Sequence, residues 1–153
     1  MTYRITGLDP EPYRPLFALS DEELERRGMK RMMVTDSGFP CRISLVDRPI
    51  GDQVILLNHL SHDVANPYRA SHAIFVADAE QAEFVDQVPP VFAPRVLSLR
   101  GFDSEGMMAD ALITQPGEAD AGIRKLFENP EIRTIHAHNA ARGCFSARIE
   151  RAS

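Results

Sequence analysis

The chain has 153 residues, 44% hydrophobic and 25% charged, with 22 acids against 17 bases for a formal net charge of −5. Such a composition excludes wholesale disorder, and a chain of this length buries roughly 70% of its unfolded surface without needing staples. Its acidic balance repels phosphate backbones, so no general nucleic-acid partner is expected.

The first residues, Met1 to Gly7 followed by Asp9, Pro10, Glu11 and Pro12, have no charged-then-apolar signal pattern. The densest apolar run, Val54 to Leu57, falls far short of the ~20 residues that span a bilayer. A cytoplasmic location with no membrane partner is expected, and the two cysteines, Cys41 and Cys144, should be reduced there. No repeat is visible. The one Pro-rich stretch, Val88 to Pro94, reads as a rigid crossing within a single fold. Residues 1–153 are therefore read as one domain, a monomer or a homodimer.

Tyr3 to Thr6 reads as a short first strand closed by Gly7. A helical region follows from about Glu11 to Arg27, with Pro12 and Pro15 setting its upstream turn apart. Ser20 and Glu23 have the form of a capping box, Asp21 to Glu23 suit the positive helix start, and Gly28 suits its end. The period then becomes extended. Predicted strands are Lys30–Thr35, Cys41–Val46, Gln53–Leu57, Ala70–Ala77, Arg95–Phe102, Met107–Thr114, Ile132–His138 and Cys144–Arg151. Short turn-forming stretches separate several of them, and such connections join antiparallel strands. A late helix runs from about Glu118 to Phe127 and stops before Asn129-Pro130. The fold class is α+β: mostly antiparallel sheet, curled or barrel-like, with two or three helices packed on it.

The last hairpin has the most legible register. Ile135 and Ala137 point one way, and Thr134, His136 and His138 the other. On the next strand Phe145, Ala147 and Ile149 alternate with Cys144, Ser146, Arg148 and Glu150. Closing the hairpin over Asn139–Gly143 predicts Ala137 opposite Phe145, Ile135 opposite Ala147 and His138 opposite Cys144. Facing residues have Cβ atoms ~5 Å apart, so His138 would reach Cys144.

That pairing makes Cys144, His138 and Asn139 candidate catalytic residues: imidazole beside thiol favours the thiolate, and Asn139 could orient the ring. The same face fits a polar, partly wet sheet on which Cys144 is simply small. His136 and His138 form a metal half-site, with Cys144 as a third donor, but no short ligand motif demands zinc. No cofactor is expected, zinc being the one metal these residue types would suit. His59, His62 and His72 fall within a short stretch, and the spacing His59-x-x-His62 fits loop solvation equally well. Asn66-Pro67-Tyr68-Arg69-Ala70-Ser71 leads into the apolar strand Ile74–Val76. Arg69 there could clamp a carboxylate or phosphate, or tie down its own loop through an acid. Cys41, Arg42, Tyr68, Arg69, Ser71 and Arg142 are thus candidate ligand-binding residues, with Arg148 adding charge to an anion site on an acidic protein. Phosphate-loop, dinucleotide, zincin and nucleophile-elbow motifs are absent.

Phe39-Pro40-Cys41-Arg42, Asn66-Pro67-Tyr68-Arg69-Ala70-Ser71 with Ile74-Phe75-Val76, and His136-x-His138-Asn139-Ala140 with Gly143-Cys144-Phe145 stand in one order along nearly the whole chain. Together they resemble the uncharacterised bacterial family catalogued as domain of unknown function 1203. The resemblance implies a small stand-alone protein and carries over no catalytic residue. The family pattern has glycine where this chain has His72, which lowers His72 as a metal ligand.

Two readings from different classes follow. One is a ligand-binding or interaction domain with an Arg/His/Cys-lined site for a small anionic molecule. The other is a cysteine-dependent enzyme using Cys144 with His138, and a His/Cys metal protein stands third. Whether the chain is an enzyme is left open by its residues.

Overall fold

Two antiparallel sheets organise the chain, whose computed structural model describes residues 1–152. The larger contains β1 (Tyr3–Thr6), β5 (Glu83–Val85), β6 (Leu97–Phe102), β7 (Met108–Thr114), β8 (Thr134–Asn139) and β9 (Phe145–Arg151), in the order β5-β1-β9-β8-β6-β7. The smaller contains β2 (Lys30–Met33), β3 (Gln53–His62) and β4 (Ala70–Val76), with β3 central. The α+β class is as expected, but the sheets stay open and close no barrel.

Each sheet has its own core. One face of the large sheet presents Tyr3, Ile5, Leu97, Leu99, Ile135, Ala137, Ala147 and Ile149. Helix α2 (Ala119–Phe127) covers it, because Ala119, Ile123, Leu126 and Phe127 fall on one helical stripe. The small sheet packs with Leu16, Leu24 and Phe39, Leu24 being the buried residue of helix α1 (Asp21–Arg26). Ser20 caps α1 by accepting from the Glu23 N–H at 3.1 Å. The reciprocal half of the capping box is missing, since Glu23 turns its carboxylate to Arg26 and Arg27. No helix among the described residues is long and apolar enough to cross a membrane.

Cys41–Val46 is a tight turn, not a strand. The Leu45 N–H reaches back to the Cys41 carbonyl at 2.9 Å, and Leu45 has φ 56°. The segment is wedged between the two cores, so Ile43 feeds one and Leu45 the other. Apolar alternation here reflects burial from two directions, not a pleat. Glu83–Val85 pairs with β1 and was missed because three residues carry no period.

The last hairpin closes two residues away from its expected register. Ile135 faces Ile149, His136 faces Arg148 and Ala137 faces Ala147. A two-residue shift keeps each side chain on its face. A bulge then leaves Ser146 unpaired and sets His138 opposite Phe145. Two more bulges leave Ser61 unpaired on β3 and Ala109 unpaired on β7. All three lie near the same cleft, and bulges commonly re-aim side chains beside sites.

Candidate functional site

The second face of the large sheet has no helix over it. His136 and His138 on β8, Arg100 and Phe102 on β6 and Arg148 on β9 project there, alternating with core residues. The far half of the β3–β4 hairpin crosses this face, with loops 63–69 and 103–106 closing over it. Asn66 Nδ2 donates to the Glu105 carbonyl at 3.0 Å, and His62 Nε2 to the Gly106 carbonyl at 2.9 Å, joining the two loops. Gly106 has φ +79°, and a Cβ there would come within 2.5 Å of Val64 Cγ1. Only glycine suits it.

The bulges gather the aromatic rings. His59 and His62 are three apart and would face opposite ways on an unbroken strand. The extra residue Ser61 brings His62 round to the cleft, where its ring lies 5.0 Å from that of His136. The bulge at Ser146 likewise turns Phe145 away from Ile149 and onto His136 and His138, at 5.3 and 5.9 Å. His72 packs on His138 at 4.8 Å, and His59 on Phe145 at 5.7 Å. All five histidines therefore belong to one cluster, and β3 runs on to His62 where the sequence suggested loop solvation. Among the described residues, no three His, Cys, Asp or Glu side chains form a group that could hold a metal ion.

The cleft has two lobes, of about 500 and 200 Å³, that share Ser61, His62, Phe102 and His136. The larger carries Asp63, Asp103 and Glu105 on its rim, against Arg148 held by Glu150. The smaller carries Tyr68, Arg69, Arg100 and His138. Its charge is thus cationic. Arg69 is tied to Asp63, the loop-anchoring role weighed for it from sequence. Arg100 has only the Ser98 hydroxyl, at 3.3 Å, and no acid partner among the described residues. Burial lowers its pKa. His136 is 2% exposed and makes no hydrogen bond among the described residues. Burial, with the nearby His62 and Arg148 charges, pushes its pKa down to about 3. Burial lowers His138 to about 4 against the opposing pull of the Gly143 carbonyl, and it also lowers His59 and His72. These rings are neutral near pH 7.

Other predicted site residues lie elsewhere. Cys41 is fully buried, its Sγ accepting from the N–H groups of Ile43, Ser44 and Ala77 at 3.3–3.4 Å. Arg42 is 2% exposed and structural. Its Nε donates to the Phe145 carbonyl at 2.8 Å, Nη1 to the Pro40 carbonyl at 2.7 Å and Nη2 to Cys144 Sγ at 3.1 Å. Desolvation lowers the guanidinium's pKa, and Cys144 pushes it back. Asn139 Nδ2 also reaches Cys144 Sγ, at 3.5 Å. His138 makes no hydrogen bond to that sulfur, because its Nδ1 is taken by the Gly143 carbonyl at 2.9 Å. The register change sets Phe145, not Cys144, opposite His138. Cys144 lines neither lobe, and Ser71 and Arg142 are exposed away from both. Of the predicted ligand-binding residues, only Tyr68 and Arg69 join His136 and His138 at the smaller lobe. Arg100 was missed. Its signal was strand parity, since Leu97 and Leu99 point to the core and Arg100 therefore points to the histidine face.

The model of a family described as "Protein of unknown function (DUF1203)" matches residues 38–151. The chain belongs to the DUF1203 family. The match holds nearly every cleft residue of this DUF1203 member, including Arg69, Arg100, His136 and His138. No curated protein and no solved structure matches the chain.

Proposed function

We propose that this protein binds a small anionic molecule in the smaller lobe, with Arg100 as the charge that holds it. One observation carries the reading: a half-buried guanidinium without an acid partner shares a cavity with a buried, unpartnered imidazole. A guanidinium offers a planar fork suited to carboxylate or phosphate. Arg69 and Tyr68 stand at the mouth, so the lobe is locally cationic on an acidic protein. The acids on the larger lobe turn anions away from that side.

A thermal-shift screen of small carboxylates and phosphates tests this. A ligand at 100 times its Kd adds ~2.7 kcal/mol of stability, and Arg100→Gln should weaken a found ligand at least ~10-fold. Arg69→Ala should cost less, because Asp63 already neutralises Arg69. A screen in which no anion stabilises the protein, or a found ligand indifferent to Arg100→Gln, rejects the reading.

A further inference from the structure

Beside Arg100 the smaller lobe presents a bare imidazole nitrogen. A carbonyl oxygen can only accept, so the 2.9 Å contact to Gly143 puts the proton of neutral His138 on Nδ1. Its Nε2, the one polar ring atom left for the cavity, carries a lone pair. His62 Nε2 is likewise engaged, donating to the Gly106 carbonyl. Ser61 cannot supply a donor. Its single hydroxyl proton goes to the Ala70 carbonyl at 3.1 Å, while its oxygen takes the proton of His72 Nδ1 at 2.9 Å.

An anion without hydrogens, such as sulfate, would satisfy Arg100 and set its lone pairs against His138 Nε2. A ligand carrying its own donor beside the negative group satisfies both. An ammonium donor would be repelled by Arg100, whereas a hydroxyl would not. Arg100 faces His136 across β6 and β8, which makes His138 its diagonal neighbour on the same face. Diagonal neighbours lie ~7–8 Å apart. That side-by-side placement lets a carboxylate and a hydroxyl on the adjoining carbon engage both side chains, through hydrogen bonds of about 2.8 Å. A lobe of about 200 Å³ has room for about seven water-sized groups at ~30 Å³ each.

From this acceptor beside Arg100 we infer that the lobe takes a small 2-hydroxycarboxylate, its carboxylate on Arg100 and its hydroxyl donating to His138 Nε2. This rests on the anion-site reading above and narrows it to one chemistry.

NMR titration of the whole protein with 2-hydroxypropionate, propionate and inorganic sulfate tests it. The hydroxy acid should bind at least ~10-fold more tightly than propionate, a single well-made hydrogen bond to a buried acceptor. In long-range ¹H–¹⁵N spectra of the wild type, His138 should show a protonated Nδ1 and a bare Nε2. That Nε2 resonance should move with 2-hydroxypropionate and stay still with propionate. His138→Leu should erase the preference, and His138→Gln, which keeps an acceptor, should retain part of it. If His138→Leu does not fold, the wild-type nitrogen spectra decide. Equal binding of the two acids, still lost in Arg100→Gln, overturns the inference and leaves the anion site standing. A protonated Nε2 on His138 in the free protein also overturns it. Absence of carboxylate binding overturns both.

Discussion

Arg42 Nη2 lies 3.1 Å from Cys144 Sγ, and with its bond to the Phe145 carbonyl this side chain fastens the inter-core turn to the last hairpin. Arg42→Met would leave the carbonyls of Pro40 and Phe145 without these donors. Each buried acceptor so orphaned costs about 1–3 kcal/mol. The variant should lose at least ~2 kcal/mol in urea denaturation, and Arg42→Lys should recover only part, because an ammonium cannot span three acceptors. A loss within ~0.5 kcal/mol of zero, the usual scale for a surface substitution, would contradict this role for Arg42.

The two thiols should differ in accessibility. Cys144 is partly exposed, while Cys41 is fully buried and holds three backbone N–H groups. A disulfide-exchange reagent should modify one thiol in the native state and the second only at the rate of global unfolding. Peptide mapping should place the first label on Cys144. Equal rates would show that the Cys41 turn opens locally.

Acid should unfold the protein through its histidines. His136 and His138 have native pKa values pushed down to about 3 and about 4, against ~6.5 when unfolded. Between those limits the unfolded state binds more protons, so stability falls as pH drops below ~6.5 and is unaffected above it. At about 1.4 kcal/mol per pH unit per ring, the two rings together cost about 4 kcal/mol at pH 5. Melting temperature measured from pH 8 to pH 4 should be flat and then fall. His136→Phe should remove about half of the slope. A melting temperature that stays level down to pH 4 would count against the buried neutral rings.

Gly7 is required for a reason its place after β1 did not suggest. A Cβ there would lie 2.0 Å from the backbone oxygen of Ile43. Backbone cannot yield as a side-chain tip can, so Gly7→Ala should cost at least ~3 kcal/mol or prevent folding. Gly28→Ala meets no atom within 4 Å and only a positive φ, so about 1 kcal/mol is expected. Denaturation midpoints of the two variants make the comparison, and equal losses would refute it.

Period-two alternation made the histidine face of β8 legible, because Ile135 and Ala137 bury on a core that leaves His136 and His138 outside it. The same parity applied to Leu97 and Leu99 exposes Arg100. The bulges were not legible. Ser61, Ala109 and Ser146 are small residues inside otherwise regular alternation, and an extra residue in a ladder shows only once its partner strand is known. That is why Phe145 was assigned to the core with Ile149 when it belongs with the imidazoles. The three family motifs had another meaning too. Arg42 and Cys41 in the first hold the scaffold, and His138 in the third reaches the cleft while Cys144 beside it does not.

Strand order sets a timetable for synthesis. Strand β1 lies between β5 and β9, so Tyr3 and Ile5 meet their main partner only after Phe145–Arg151 has left the ribosome. The β2–β4 sheet joins neighbouring segments and can form long before. Until the final hairpin arrives, only the three-residue β5 ladder and the helix side of the core can cover these early apolar residues, the interval in which a chaperone would engage the chain.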